Sequence, residues 1–249
     1  MREPLDTVKQ DRRTALGLMA GTGVTASVLL LPGCSPLVQK SEEHEKDRSG
    51  EVAANEDLMR EHGVLRRILI VYREIAPRLA AGSGPIDAGA IASAAALFRE
   101  FGEHYHEQLL EEQHVFPLVR KAGGEGAGLI DMLMTQHQRG RAITDYILDR
   151  TKGGKIATGQ GEVLANAMTA FSRMYEAHAA HEDTVIFPAF KASLGQKSYD
   201  ELGEQFEEIE HQRFGGDGFD MALDKVVDIE HALGIADLGA FTAPAPPAL

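Results

Sequence analysis

The chain has 249 residues and a formal net charge of −13, with no tryptophan, one cysteine and ten histidines. The acidic balance excludes a nucleic-acid grip, which needs a basic stripe to release phosphate counterions. A lone Cys34 excludes both an intramolecular disulfide and a cysteine-rich metal site.

Asp11-Arg12-Arg13-Thr14 precedes an uncharged apolar stretch, Ala15 to Leu31, that ends in Leu31-Pro32-Gly33-Cys34. A charged start, a short apolar run and small residues at a cleavage point make a secretory signal. The paired arginines resemble a twin-arginine export signal, and Leu-x-Gly-Cys resembles a bacterial lipobox, which would leave Cys34 as a lipid-bearing N-terminus. Residues 1–34 are therefore expected to be an export signal, and the product a periplasmic or membrane-anchored lipoprotein. Residues 35–54, charged and polar, are expected to be a flexible tether.

From Asn55 the apolar residues fall at helical spacing. A first helix is predicted from Asn55 to Pro77, with Leu58, Leu65, Ile68, Leu69 and Tyr72 on its apolar stripe. Ala81-Gly-Ser-Gly-Pro85 is a loop. A second helix runs from about Asp87 into Phe116-Pro117, and Gly123-Gly-Glu-Gly126 interrupts the chain. A third covers about Leu129 to Arg150, and a fourth about Gln160 to Ala192. A last helical stretch starts near Ser198, breaks at Phe214-Gly-Gly-Asp-Gly218 and resumes to Leu233, before an extended Pro-rich tail. The sequence thus predicts an all-α chain: an antiparallel up-down four-helix bundle over 55–192, and a helical extension over 193–249.

The histidines sit on this frame in a pattern. His178-x-x-x-Glu182 places two side chains on one side of a helix, and Phe171, Met174 and Val185 put that side in the interior. A carboxylate left unpaired there would be costly, whereas a cation neutralises it. The second helix offers His104, His106, Glu107, Glu111, Glu112 and His114, followed by Phe116-Pro117 as Glu182 is followed by Phe187-Pro188. His106 lies five residues before Glu111, about 140° away on an ideal α-helix; one π-type turn would bring the pair to a single side. Glu107 with Glu111 is the competing pair and needs no such turn. His62 on the first helix and His137 on the third are the inward candidates there.

The order His62, His106 to Glu111, His137, His178-x-x-x-Glu182, with Phe-Pro after each His/Glu set, resembles the hemerythrin, or HHE cation-binding, family over residues 55–192. Phe-Gly-Gly-Asp-Gly-Phe-Asp and Leu-Gly-Ile-Ala-Asp-Leu further on resemble an exported subgroup. The resemblance implies a non-haem centre of two irons, with His62, His106, His137 and His178 as terminal ligands and Glu111 and Glu182 as bridging carboxylates. It also implies a fifth histidine that is not in its expected place; solvent, His181, Glu107 or His211 would fill that position. An open iron position would admit O2, NO or peroxide, so the expected function is binding or sensing such a ligand rather than enzymatic turnover. The alternatives are a di-iron oxidoreductase acting on NO or peroxide, with a redox partner the sequence does not name, and iron storage or delivery. The expected partners are the small ligand and, through lipidated Cys34, a membrane surface. His44 and His231 are expected to be structural or solvated, and His104 and His114 to be on the surface or behind the ligands.

Overall fold

A computed structural model describes residues 52–82 and 84–247. The export signal and most of the tether lie outside the described residues. Among those described there is no strand, and no helix is long and apolar enough to cross a membrane.

Four long helices make the bundle. Helix α1 is Ala54–Ala80. Helix α2 is continuous through three stretches, Ala88–Leu97, the π-helical Phe98–Val115, and Phe116–Ala122. Helix α3 is Gly124–Arg150, and α4 runs through Gly161–His181, the π-helical Glu182–Ile186, and Phe187–Ala192. Two more helices follow, α5 (Gln196–Phe214) and α6 (Gly218–Leu233). The predicted elements are all present, with shifted ends. Helix α1 continues one turn past Pro77, which is itself exposed. It is not opened by Asn55: the backbone N–H of Asn55 donates to Tyr199 Oη (2.9 Å) and its side-chain amide to the Phe187 carbonyl (2.8 Å), tying α1 to α5 and α4. Helix α3 starts at Gly124, five residues early, because Gly123 and Gly124, both at φ 79°, make the turn between them. Gly126 then lies inside the helix, where a Cβ would meet Val119 at 3.0 Å and Ala189 at 3.3 Å.

The core is one cluster built on Tyr72, Phe98, Phe101, Tyr105, Phe171, Phe187 and Phe190, all at most 1% exposed. Helix α1 packs chiefly on α4, and α3 on α4 and α2. Helices α5 and α6 cover the α1 and α2 side. Phe206 stacks on Phe190 and Phe214 meets Tyr105 edge-on at 5.2 Å. The Arg67 guanidinium forks onto Glu230, and Arg78 donates to the Leu233 carbonyl at 3.1 Å. The extension thus seals the aromatic wall behind the histidine-bearing stretch of α2.

Candidate metal centre

The last turns of the two π-helical stretches share a cause. Pro117 and Pro188 have no N–H to give, and their rings crowd the carbonyl one turn back. The preceding amide reaches a residue further: Phe116 N–H bonds the Glu111 carbonyl, and Phe187 N–H the Glu182 carbonyl. Each widened turn closes on the backbone of an inward glutamate. On α2 it brings His106 and Glu111, five residues apart, to one side, with His106 Nε2 3.4 Å from Glu111 Oε1. The expected single π-turn is therefore an understatement: the widened stretch is eighteen residues long, and a second one of five residues occurs on α4.

The structure brings all six sequence-predicted residues to one level of the bundle, each at most 3% exposed. His62 Nε2 and His106 Nε2 face each other at 3.0 Å, and His137 Nε2 and His178 Nε2 at 3.1 Å. The two carboxylates lie between these pairs. Glu111 presents Oε1 to His106 and Oε2 to His137, each at 3.4 Å. Glu182 presents Oε2 to His178 (3.0 Å) and His62 (3.5 Å), and Oε1 to His137 (3.9 Å). Two donors bound to one ion at about 2.1 Å and at right angles lie roughly 3 Å apart, so each histidine pair with its carboxylate oxygens has the spacing of a coordination sphere.

None of the four oxygens of Glu111 and Glu182 receives a hydrogen bond of acceptable geometry, although both side chains are fully buried. The imidazoles explain this. Each donates through Nδ1: His62 to Asp183 (2.7 Å), His106 to Glu61 (2.6 Å), His137 to Glu112 (2.9 Å) and His178 to Gln136 (2.9 Å). A neutral ring that donates from Nδ1 turns an Nε2 lone pair inward. The rings are further fixed by stacking, Phe116 on His137 at 5.5 Å and Phe187 on His62 at 5.3 Å.

Without a metal the group calls for positive charge. Burial opposes charging His62, His106 and His137, yet the carboxylates beside them outweigh it and hold all three pKa values up, His106 and His137 well above the ordinary value. Burial and the charge of Glu182 push Glu111 up, but His106 and His137 pull it down further. Burial likewise disfavours charge on Glu182, and His178 and His62 overcome it, leaving that carboxyl well below the usual range. Without a metal, the same carboxylates that would hold a cation favour the charged form of His62, His106 and His137.

The remaining candidates fall elsewhere. Glu107 is buried, but Oε1 accepts from Tyr175 Oη (2.7 Å) and Oε2 from Arg141 (3.0 Å), so both oxygens are engaged. His181 is exposed and bonded to the Ala177 carbonyl, and His211 and His231 are exposed. His104 pairs with Glu100 (3.3 Å) and His114 lies against Phe206, both at the protein surface side of their helix. His44 lies outside the described residues. Gln136, Asp183, Tyr105, Arg141 and Tyr175 were not singled out from the sequence. Adjacency is the one available signal: Gln136 precedes His137 and Asp183 follows Glu182.

A second buried acid lies up α2. Glu103 is fully buried, accepts from Thr144 Oγ1 at 2.6 Å and pairs with Arg99. Burial raises its pKa to about 7, with the charge of Glu107 adding to the rise and Thr144 and Arg99 opposing it. A carboxyl whose folded pKa exceeds its ordinary 4.5 contributes stability below that value and loses it as pH rises through about 7. Glu103→Gln keeps the neutral form throughout. In the metal-free protein its Tm is expected to gain on wild type between pH 5 and 8, and differential scanning at both pH values checks this. An unchanged gap would contradict it.

A model of the hemerythrin HHE cation-binding domain matches residues 53–190, and again 128–226. Uncharacterised proteins of Mycobacterium bovis and Mycobacterium tuberculosis are 42% identical over 243 residues, 94% of either chain. No solved structure matches the chain significantly.

Proposed function

The chain belongs to the hemerythrin HHE cation-binding family, and on that premise we propose that it is a non-haem di-iron protein that binds or senses O2, NO or peroxide. The observation that carries this reading is the set of four buried carboxylate oxygens left without hydrogen bonds between four convergent imidazole nitrogens. In this reading His62 and His106 would hold one ion, His137 and His178 the other, and Glu111 and Glu182 would serve both. Imidazole and carboxylate donors without thiolate suit iron better than a closed structural zinc site. Bound iron would supply a Lewis-acidic, redox-active position for a small ligand.

The protein's own contribution is size and dryness. A cavity of about 10 Å³, lined by His62, His106, His178, Glu111 and Glu182, is walled by Leu65, Leu69, Phe98 and Tyr175. That is roughly the space one water-sized molecule needs. A space this small among the residues that would hold the ions leaves no room for an organic substrate beside them, and the apolar wall would keep bulk water from the carboxylates. Metal content and an absorption spectrum test the reading. About two irons per chain, with near-ultraviolet bands that respond to O2, NO or peroxide, are expected. No iron after aerobic reconstitution, or tight zinc alone, would overturn it. Sustained consumption of peroxide or NO would instead indicate an oxidoreductase.

The same proposal places the mature chain outside the cytoplasm, held on a membrane surface through Cys34. Support comes from Arg12-Arg13, the apolar run and Leu31-Pro32-Gly33-Cys34 in the sequence. A lipid chain contributes about 0.8 kcal/mol per buried CH2, so Cys34→Ser is expected to move the protein from the membrane to the soluble fraction with iron content unchanged. A wild-type protein already soluble after fractionation would contradict the anchor.

A further inference from the structure

The four bonds to imidazole Nδ1 form a ring that runs one way round the bundle. In each case the supporting residue is the sequence neighbour of a proposed ligand, and it supports an imidazole on the next helix. Glu61, beside His62 on α1, reaches His106 on α2; Glu112, beside Glu111 on α2, reaches His137 on α3. Gln136, beside His137 on α3, reaches His178 on α4; Asp183, beside Glu182 on α4, closes the ring on His62. Successive helical residues point about 100° apart, so a ligand aimed at the centre leaves its neighbour aimed at the adjoining helix. Three of the four supports are carboxylates. The fourth, Gln136, is a neutral amide.

Charge further out does not separate the two metal pockets. Near the His62/His106 pocket stand Glu61 and Asp183, the latter paired with Arg66. Near His137/His178 stand Glu112 and Glu107, both paired with Arg141. Each side thus carries two carboxylates and one guanidinium. Glu182 lies closer to His178 (3.0 Å) than to His62 (3.5 Å), and the bonds to Nδ1 differ in the opposite sense. A carboxylate accepting from Nδ1–H raises the donor strength of Nε2 more than an amide oxygen does. Both imidazoles of the first pocket have that support, and only His137 has it in the second. Glu107 does not make good the deficit, since its nearest oxygen is 3.8 Å from His137 Nδ1, beyond hydrogen-bond reach.

We infer that this ring grades the centre into a tight pocket at His62/His106, which takes the first divalent cation, and a weaker pocket at His137/His178, with Gln136 as the residue that sets the difference. The inference rests on the di-metal reading above. Its test is a Co2+ titration of the metal-free full-length chain under anaerobic conditions, followed by calorimetry and visible absorption. Two steps about ten- to a hundredfold apart in affinity are expected, the usual weight of such a supporting bond. Gln136→Glu is expected to tighten the second step until the two merge, and Glu61→Gln to loosen the first. His178→Ala should remove the weak step and spare the tight one. Gln136 is half-buried at the edge of the site, so its replacement by glutamate is compatible with folding, and unchanged helical circular dichroism checks each variant. Two equal steps in the wild type, a weak step that Gln136→Glu leaves in place, or loss of the tight step in a folded His178→Ala would each overturn the grading while leaving the di-metal reading intact. No Co2+ binding at all would overturn both.

Discussion

Replacing Glu182 by alanine is expected to abolish binding of both metal ions and to lower the Tm of the iron-loaded protein by roughly 8–16 °C. The magnitude follows from linkage: a ligand at a thousandfold excess over its Kd stabilises the folded state by about 4 kcal/mol, and each kcal/mol moves the Tm of a domain this size by about 2–4 °C. Both ions are expected to go because Glu182 serves both pockets, with Oε2 toward His178 and His62 and Oε1 toward His137. Wild type stripped with a chelator is the control. It lacks the ions but keeps the aromatic core, so it is expected to stay folded at a lower Tm, and the variant should resemble it rather than the iron-loaded protein. Metal analysis and scanning calorimetry on the same samples decide the matter. One iron retained at wild-type affinity would show that Glu182 serves a single pocket.

Much of this arrangement is legible in the chain, for definite reasons. Apolar residues at helical spacing locate the helices because burial must fall on one side. The order His62, His106, His137, His178 is legible because each histidine interrupts such a stripe. The five-residue gap from His106 to Glu111 demands a widened turn once both are placed inside. The gap says nothing of the turn's length, since the hydrogen bonding of residues 98–115 depends on how α2 packs along its whole course. On α4 the four-residue spacing from His178 to Glu182 already serves, so nothing there called for the π-helical turn at 182–186; Phe187-Pro188 was its only sign. The ring of supports was hidden for a different reason. Glu61, Glu112, Gln136 and Asp183 each act on a neighbouring helix, so their meaning depends on which helices adjoin. No fifth histidine joins the site among the described residues: His181 lies one turn from His178 in sequence but faces out, bonded to the Ala177 carbonyl of its own helix.

Gly140 makes the second large effect. It lies on α3, one turn beyond His137, with the Tyr175 ring of α4 against it. A Cβ at this position would stand 1.9 Å from Tyr175 Oη, 2.7 Å from Cζ and 2.8 Å from Cε2. Alanine would normally gain about 1 kcal/mol over glycine inside a helix, so an ordinary site would be stabilised. Here the Tyr175 ring must move, and its other sides are taken by Phe171 (4.6 Å), Phe98 (4.8 Å) and His178 (5.3 Å). Overpacking a filled core costs about 1–3 kcal/mol. Displacing Tyr175 also breaks its bond to the buried Glu107, about 1.5–3 kcal/mol for a charged acceptor. After the propensity gain, Gly140→Ala is expected to destabilise the metal-free protein by roughly 1.5–5 kcal/mol, or about 3–20 °C in Tm. Tyr175→Phe in the same chain removes the 1.9 Å clash but not the one at 2.7 Å, so it should restore part of the loss. A neutral or stabilising Gly140→Ala would mean that the two helices do not approach as closely as Gly140 and Tyr175 indicate, and that the wall of the cavity beside His178 is looser than the di-iron reading requires.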